Sequence, residues 1–233
     1  PNANCGACGN AGCYDFAFKV VSGEVKINGC PVGGQEVVDE IARILGMESS
    51  ASVKLVARVL CNGGNIEATR KANAEYNGPM SCSVQTIVAG GDKMCLYGCL
   101  GGGECVDACQ FGTIFMNENG LPTVVEELCT GCGQCVEACP RGIIEIHPED
   151  RELFVFCKNH DDPKRSKEVC KVACIGCGIC ARKSDGSIVM KEFLPEIDYS
   201  KLDLSKIPLD KCSTNAIRFV HPEKVLQKTV TIN

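Results

Sequence analysis

The sequence predicts an α+β protein assembled from small cysteine-bound modules, and three observations lead there. Twenty cysteines fall within 233 residues, several times ordinary usage. One cysteine spacing recurs along the chain. Short apolar runs follow the recurrences and are broken by turn signals such as Asn119-Gly120. With eight Phe, four Tyr and no Trp, no large aromatic core is expected, so whatever the cysteines bind must help to hold the modules together.

Cysteine at this density means either the disulfide scaffold of a secreted chain or thiolate ligation of metal in a reducing compartment. The spacing decides. CTGCGQCVEACP, residues 129–140, is the C-x2-C-x2-C-x3-C-P run that wraps a [4Fe–4S] cluster with three of its own thiolates and one from elsewhere. Zinc sites use cysteine pairs with a longer spacer, often with His, and the three His of this chain lie outside any such pattern.

The N-terminal element, residues 1–47, carries Cys5, Cys8, Cys13 and Cys30 with glycines between them, which suits a backbone wrapped tightly round a cluster. Val37, Val38, Ile41, Ile44 and Leu45 recur at helical spacing before Gly46 and predict the helix that closes this domain. Residues 48–91 read as a connecting segment: Val53, Leu55, Ala57 and Val59 alternate like a half-buried strand, and the only cysteines are Cys61 and Cys82.

Residues 92–156 read as a two-cluster unit. Aligned on positions 129, 132, 135 and 139, the stretch CLYGCLGGGECVDACQ has cysteine at 99, 105 and 109, but glycine at 102. Cys95, about one helical turn earlier, is the expected replacement. The fourth cysteine of each run ligates the other cluster in two-cluster ferredoxins. One expected set is therefore Cys95, Cys99, Cys105 and Cys139, and the other is Cys109, Cys129, Cys132 and Cys135. Hairpins are expected after each run, turning at Asn119-Gly120 and at residues 148–150; helix plus hairpin, twice, is the ferredoxin-like pseudo-repeat.

Residues 157–233 read as a degenerate copy. Cys174, Cys177 and Cys180 pair in register with Cys212, while the twin site has become Ser184, Leu202, Ser205 and Pro208. A hairpin is expected in AIRFVHPEKVLQKTVTI, residues 216–232. Cys170, Cys174 and Cys177 also spell the C-x3-C-x2-C of radical S-adenosylmethionine enzymes, but no run of alternating strands and helices follows to build a barrel. Four clusters use sixteen cysteines. Cys61, Cys82, Cys157 and Cys170 remain, enough for a fifth cluster if the connectors meet in space, with buried free thiols as the alternative.

The formal charge is −5, and four oxidised clusters at roughly −2 each carry it to about −13, so nucleic acid is not an expected partner. No apolar run is long enough for a bilayer span or a signal peptide, and the sequence opens at Pro1, which reads as a soluble domain or fragment. No nucleophile is paired with a base, and GGGE, residues 101–104, lacks the lysine of a phosphate loop, so no substrate active site is expected. Lys158, Lys164, Arg165, Lys167, Lys171, Arg182 and Lys183 form a local basic stretch on this acidic chain.

NCGACGNAGC, INGCPVGG, KMCLYGCLGGGECVDACQFG, CTGCGQCVEACPRGI and VCKVACIGCGIC together resemble the B subunit of the Rnf complex, the membrane-bound, ion-translocating ferredoxin:NAD oxidoreductase. The resemblance covers nearly the whole chain. It implies an electron conduit at the cytoplasmic face of the cell membrane, taking electrons from soluble ferredoxin and passing them to the other subunits. Family members usually begin with a membrane helix that this sequence does not contain, so membrane association through the complex or through a missing N-terminal helix is the expectation. NCGACGNAGC taken alone also resembles corrinoid iron–sulfur proteins, which keeps a corrinoid-protein activator or a stand-alone iron–sulfur reductase as the alternative.

Overall fold

The computed structural model describes residues 1–220. Helices α1 (Cys13–Val21) and α2 (Gly34–Leu45) form the N-terminal unit. Phe16 and Val20 of α1 pack with Ile27, Cys30, and Val38 and Ala42 of α2. The periodic stripe predicted α2, but its end departs from the expectation: Ile44 is 67% exposed, because Gly46 at φ 66° terminates the helix beyond that core.

Strand β1 (Leu55–Val59) is covered on both faces rather than half-buried. Arg58, pointing opposite to Ala57, is itself buried; it is paired with Glu126, and its guanidinium lies 5.6 Å from the Phe154 ring centroid. Helix α3 (Cys82–Ile87) follows, capped by Ser81, which accepts from the Val84 N–H. Then come two units that begin alike: α4 (Glu104–Asp107) with β2 (Ile114–Met116) and β3 (Pro122–Val124), and α5 (Gln134–Glu137) with β4 (Ile144–Pro148). Gly103 at φ 81° and Gly133 at φ 82° start the two helices, a left-handed turn that side chains resist.

The hairpin at Asn119-Gly120 forms, β2 pairing with β3 from Ile114↔Val124 to Met116↔Pro122. The second expected hairpin does not. A turn forms, with the Arg151 N–H donating to the Pro148 carbonyl, but the strands then part. β4 pairs with β1 over five residues, Leu55↔Pro148 to Val59↔Ile144, while β5 (Leu153–Val155) pairs with β8 (Ile217–Phe219). The reason is burial. All three residues of β5 are buried, and Leu153 and Val155 belong to a different core from β4.

Between β5 and β8 lie α6 (Pro163–Val169), α7 (Ile179–Lys183) and the hairpin β6 (Ile188–Lys191)–β7 (Leu194–Ile197). Strand pairing thus cuts across the expected boundaries: β1 lies within residues 48–91 but pairs with β4, and β5 lies within 92–156 but pairs with β8. Of the expected C-terminal hairpin, β8 is present, and residues 221–233 lie outside the described residues.

Candidate iron–sulfur sites

In the N-terminal unit, the loop carrying Cys5 and Cys8 folds back on α1. Asn4 Oδ1 accepts the Cys13 N–H at 2.9 Å, and the Asn4 N–H donates to Cys13 Sγ at 3.4 Å. Asn10 Nδ2 donates to Cys8 Sγ at 3.4 Å, and Cys8 packs against the core that contains Cys30. A side chain at Gly12 would meet Asn4 Oδ1 at 2.9 Å, so the loop needs glycine there to close.

Four further cavities are each lined by four cysteines. Cavity A has Cys109, Cys129, Cys132 and Cys135; cavity B has Cys82, Cys99, Cys105 and Cys139. Cavity C has Cys61, Cys95, Cys157 and Cys170, and cavity D has Cys174, Cys177, Cys180 and Cys212. Among the described residues, no three His, Cys, Asp or Glu side chains gather as the ligands of a single metal ion do; these thiols ring spaces instead.

Two cysteines stand elsewhere than the sequence suggested. Cys95 faces cavity C, and Cys82 takes the place in cavity B that the register gave to Cys95. Glycine at 102 is what admits it. A Cβ there would lie 2.6 Å from the Cys82 N and 3.0 Å from its Sγ. The start of α3 is also tied to α4: the Glu104 carboxylate accepts from the Ser81 hydroxyl and from both the N–H and the hydroxyl of Ser83. Cys170 and Cys174 fall in different cavities, so the C-x3-C-x2-C reading finds no common site.

The sulfurs are cradled as cluster thiolates require. Cys129 Sγ accepts from the Ala57 N–H at 3.4 Å, and Cys109 Sγ from the Thr113 N–H at 3.4 Å. In cavity C a Cβ on Gly63 would lie 2.9 Å from Cys170 Sγ and 4.0 Å from Cys61 Sγ; one on Gly98 would lie 3.4 Å from Cys95 Sγ and 3.7 Å from Cys61 Sγ. These two glycines leave the sulfurs room.

Burial pushes the thiols up: Cys99, Cys135 and Cys157 to about 12, and Cys105, Cys170 and Cys174 to about 11. Cys109 goes the other way, because hydrogen bonds from Thr113 and neighbouring backbone N–H groups outweigh its burial. Free thiols of this kind stay protonated at neutral pH, so loading metal releases protons and couples to folding.

The cavities also touch one another. The Cys99 N–H of cavity B donates to Cys61 Sγ of cavity C at 3.4 Å, and the Cys174 N–H of cavity D donates to Cys157 Sγ of cavity C at 3.3 Å. Cys105 of cavity B and Cys135 of cavity A share one core. Cys177 is exposed, and its carbonyl accepts from Arg182 Nη1 at 3.0 Å.

Cysteine cavities of this kind, on paired helix-and-strand units, define a ferredoxin-type iron–sulfur protein. Comparison with known proteins agrees: residues 1–32 match a family described as "Putative Fe-S cluster", and residues 122–145 match the 4Fe-4S binding domain. The chain is 43% identical over 218 residues to the B subunit of the ion-translocating oxidoreductase complex of Methanosarcina acetivorans, covering 93% of this chain and 82% of that one. It is equally identical over 218 residues to the B subunit of the Na(+)-translocating ferredoxin:NAD(+) oxidoreductase complex of Acetobacterium woodii, spanning 65% of that chain. With the B subunit of the proton-translocating ferredoxin:NAD(+) oxidoreductase complex of Clostridium ljungdahlii it shares 38% over 175 residues, covering 75% of this chain and 61% of the relative. The chain belongs to the B-subunit family of ion-translocating oxidoreductase (Rnf) complexes. Among the described residues, no helix is long and apolar enough to cross a membrane.

Proposed function

We propose that the chain is the electron-conducting subunit of a ferredoxin:NAD oxidoreductase complex, holding five [4Fe–4S] clusters. The ligand sets are Cys5, Cys8, Cys13 and Cys30 in the N-terminal unit and the four sets that line cavities A to D. This reading uses all twenty cysteines and replaces the expected set containing Cys95 and Cys99 with one containing Cys82 and Cys99. The strand pairing, β1 to β4 and β5 to β8, supports a reading as two ferredoxin-like modules. The observation that carries the function is the pair of N–H to sulfur contacts joining cavity C to B and to D, which, with A and B sharing one core, supports a relay from A through B and C to D.

Each cluster supplies one-electron exchange. The protein's part is to fix the spacing, exclude water and donate N–H groups to sulfur. Cavity D is the favoured point of exchange with soluble ferredoxin, because Cys177 is exposed and Arg182 stands over its backbone, with Lys183 exposed nearby. Soluble ferredoxins are generally acidic, and a basic rim steers them in a salt-dependent way. Partner subunits receive the electrons.

Anaerobic iron and sulfide analysis of the isolated chain tests the cluster count. About twenty irons are expected at four per cluster; a value near sixteen removes one site. Reversal of Lys164, Arg165 and Lys167 to Glu is expected to slow electron uptake from ferredoxin about tenfold or more at low salt and little at high salt. An unchanged low-salt rate takes this stretch of α6 out of ferredoxin docking. Corrinoid or flavin retained by the pure chain would favour the activator or reductase reading instead.

A further inference from the structure

A buried cation stands where cavities B and C meet. Lys93 is 3% exposed and lines cavity C beside Cys95. Its Nζ donates at 3.0 Å to the carbonyl of Cys99, whose thiol belongs to cavity B. Through its N–H the same Cys99 reaches Cys61 Sγ in cavity C. The backbone here is held: Lys93 pairs with Arg70 in an isolated antiparallel β-bridge, and the Met94 N–H donates to the Thr69 carbonyl at 2.8 Å.

A buried ammonium with one carbonyl acceptor has lost most of its hydration, a state that is costly without opposite charge. No carboxylate pairs with Lys93 among the described residues. Negative charge would come from the cysteines, Cys61 of cavity C and Cys99 of cavity B, that feel its charge. Burial pushes the Cys61 thiol up and Cys99 to about 12, and the Lys93 charge works against the rise at both. Arg141 also lines cavity B, Lys158 also lines cavity C, and Arg182 bonds to the Cys177 carbonyl at cavity D, but Lys93 is the fully buried cation that lines C and bonds to a cysteine of B; no lysine or arginine lines cavity A.

We propose that Lys93 is a positioning charge for electron transfer, the shared counter-ion of the clusters in cavities B and C, holding both reduction potentials above the values they would have without it. This rests on the cluster reading above. Adding one electron to either cluster adds one negative charge, and a fixed cation in a low-dielectric wall stabilises the reduced form more than the oxidised one. The electron comes from the neighbouring cluster.

The test is an anaerobic redox titration of the loaded full chain, followed by electron paramagnetic resonance, after its iron content has been counted. Signals of B and C are identified as those altered in Cys82→Ser and Cys170→Ser. Lys93→Gln keeps a donor without the charge; Lys93→Arg keeps the charge. For Lys93→Gln the equilibrium constant for reduction of B and C should fall at least tenfold, about 59 mV for one electron, with A and D unmoved and Lys93→Arg within threefold of the parent. Unmoved B and C potentials in Lys93→Gln, or an equal fall in Lys93→Arg, overturn the proposal. Loss of iron from B and C in Lys93→Gln but not in Lys93→Arg supports it, whereas loss in both assigns Lys93 a packing role and overturns it. A parent chain that lacks iron in B or C refutes the cluster reading itself, which the initial count reveals separately.

Discussion

The two paired-strand regions of this chain solve one problem in two ways. The region from β1 to β4 surrounds two cysteine cavities, and four of the ten residues in its buried core are cysteines. The region from β5 to β8 has one cavity of its own, and where its twin would stand the chain has ordinary side chains. Ser184 is 2% exposed; its hydroxyl donates to the Ala181 carbonyl at 2.9 Å and accepts the Ile188 N–H at 3.0 Å. Ser205 bonds to Asp203, and Leu202 packs against a core that holds the buried Ile207. Hydrogen bonds and apolar contacts hold these positions without metal, so the second region should depend less on metal for its fold.

Iron removal is the largest test of that difference. Anaerobic chelation should collapse the β1 to β4 region, where cluster binding is folding energy, while amides of the β6–β7 hairpin keep a larger share of their hydrogen-exchange protection. Equal loss of protection in both regions would show that the serine and apolar replacement does not support the fold by itself.

The sequence carried much of this plan, and its limits are physical. Runs such as 129–139 were legible because a cluster imposes fixed spacing on a short loop and helix. The exchange of Cys82 for Cys95 was not, because proximity in sequence favoured Cys95 and nothing local marks residues 81–83 as neighbours of Glu104. A signal was available in Gly102: a missing cysteine replaced by the smallest residue leaves space for a ligand arriving from another segment. The parting of β4 and β5 was hidden for a related reason. Both flank a good turn, and only the all-apolar LFV of β5 hinted at burial on both faces.

Gly102 also gives the second test. Val at 102 would place its side chain against Cys82, and about four irons should be lost from cavity B while cavities A and D stay loaded. Full iron content in that variant would place the fourth ligand of cavity B elsewhere. The counterpart in the second region is Ser184→Ala, which leaves the Ile188 N–H without its acceptor. A loss of about 1–3 kcal/mol in anaerobic denaturation is expected, with iron content unchanged. Loss of iron instead would mean that the erased site still supports cavity D.

The smallest effect concerns how the two regions are joined. Glu145 of β4 accepts from His147 Nε2 at 2.8 Å and is paired with Lys158, which follows β5 in the chain, while the His147 ring meets Phe154 edge-on at 4.8 Å. The His147 hydrogen bond, opposed by partial burial and aided by Lys158, holds the Glu145 carboxyl at about 2, below its ordinary 4.5. A folded-state value below the unfolded one adds stability that is full above pH 4.5 and is lost as pH falls towards 2. Because the carboxylate is 38% exposed, solvent screening keeps the contribution under about 1 kcal/mol. The stability gap between the parent and Glu145→Gln should therefore narrow as pH falls from about 4.5 towards 2. Combined with Lys158→Met in a double-mutant cycle, the coupling should be about 0.3–1 kcal/mol. A coupling of zero would leave cavity C, whose cysteines come from both sides of the junction, as the connection that holds the two regions in register.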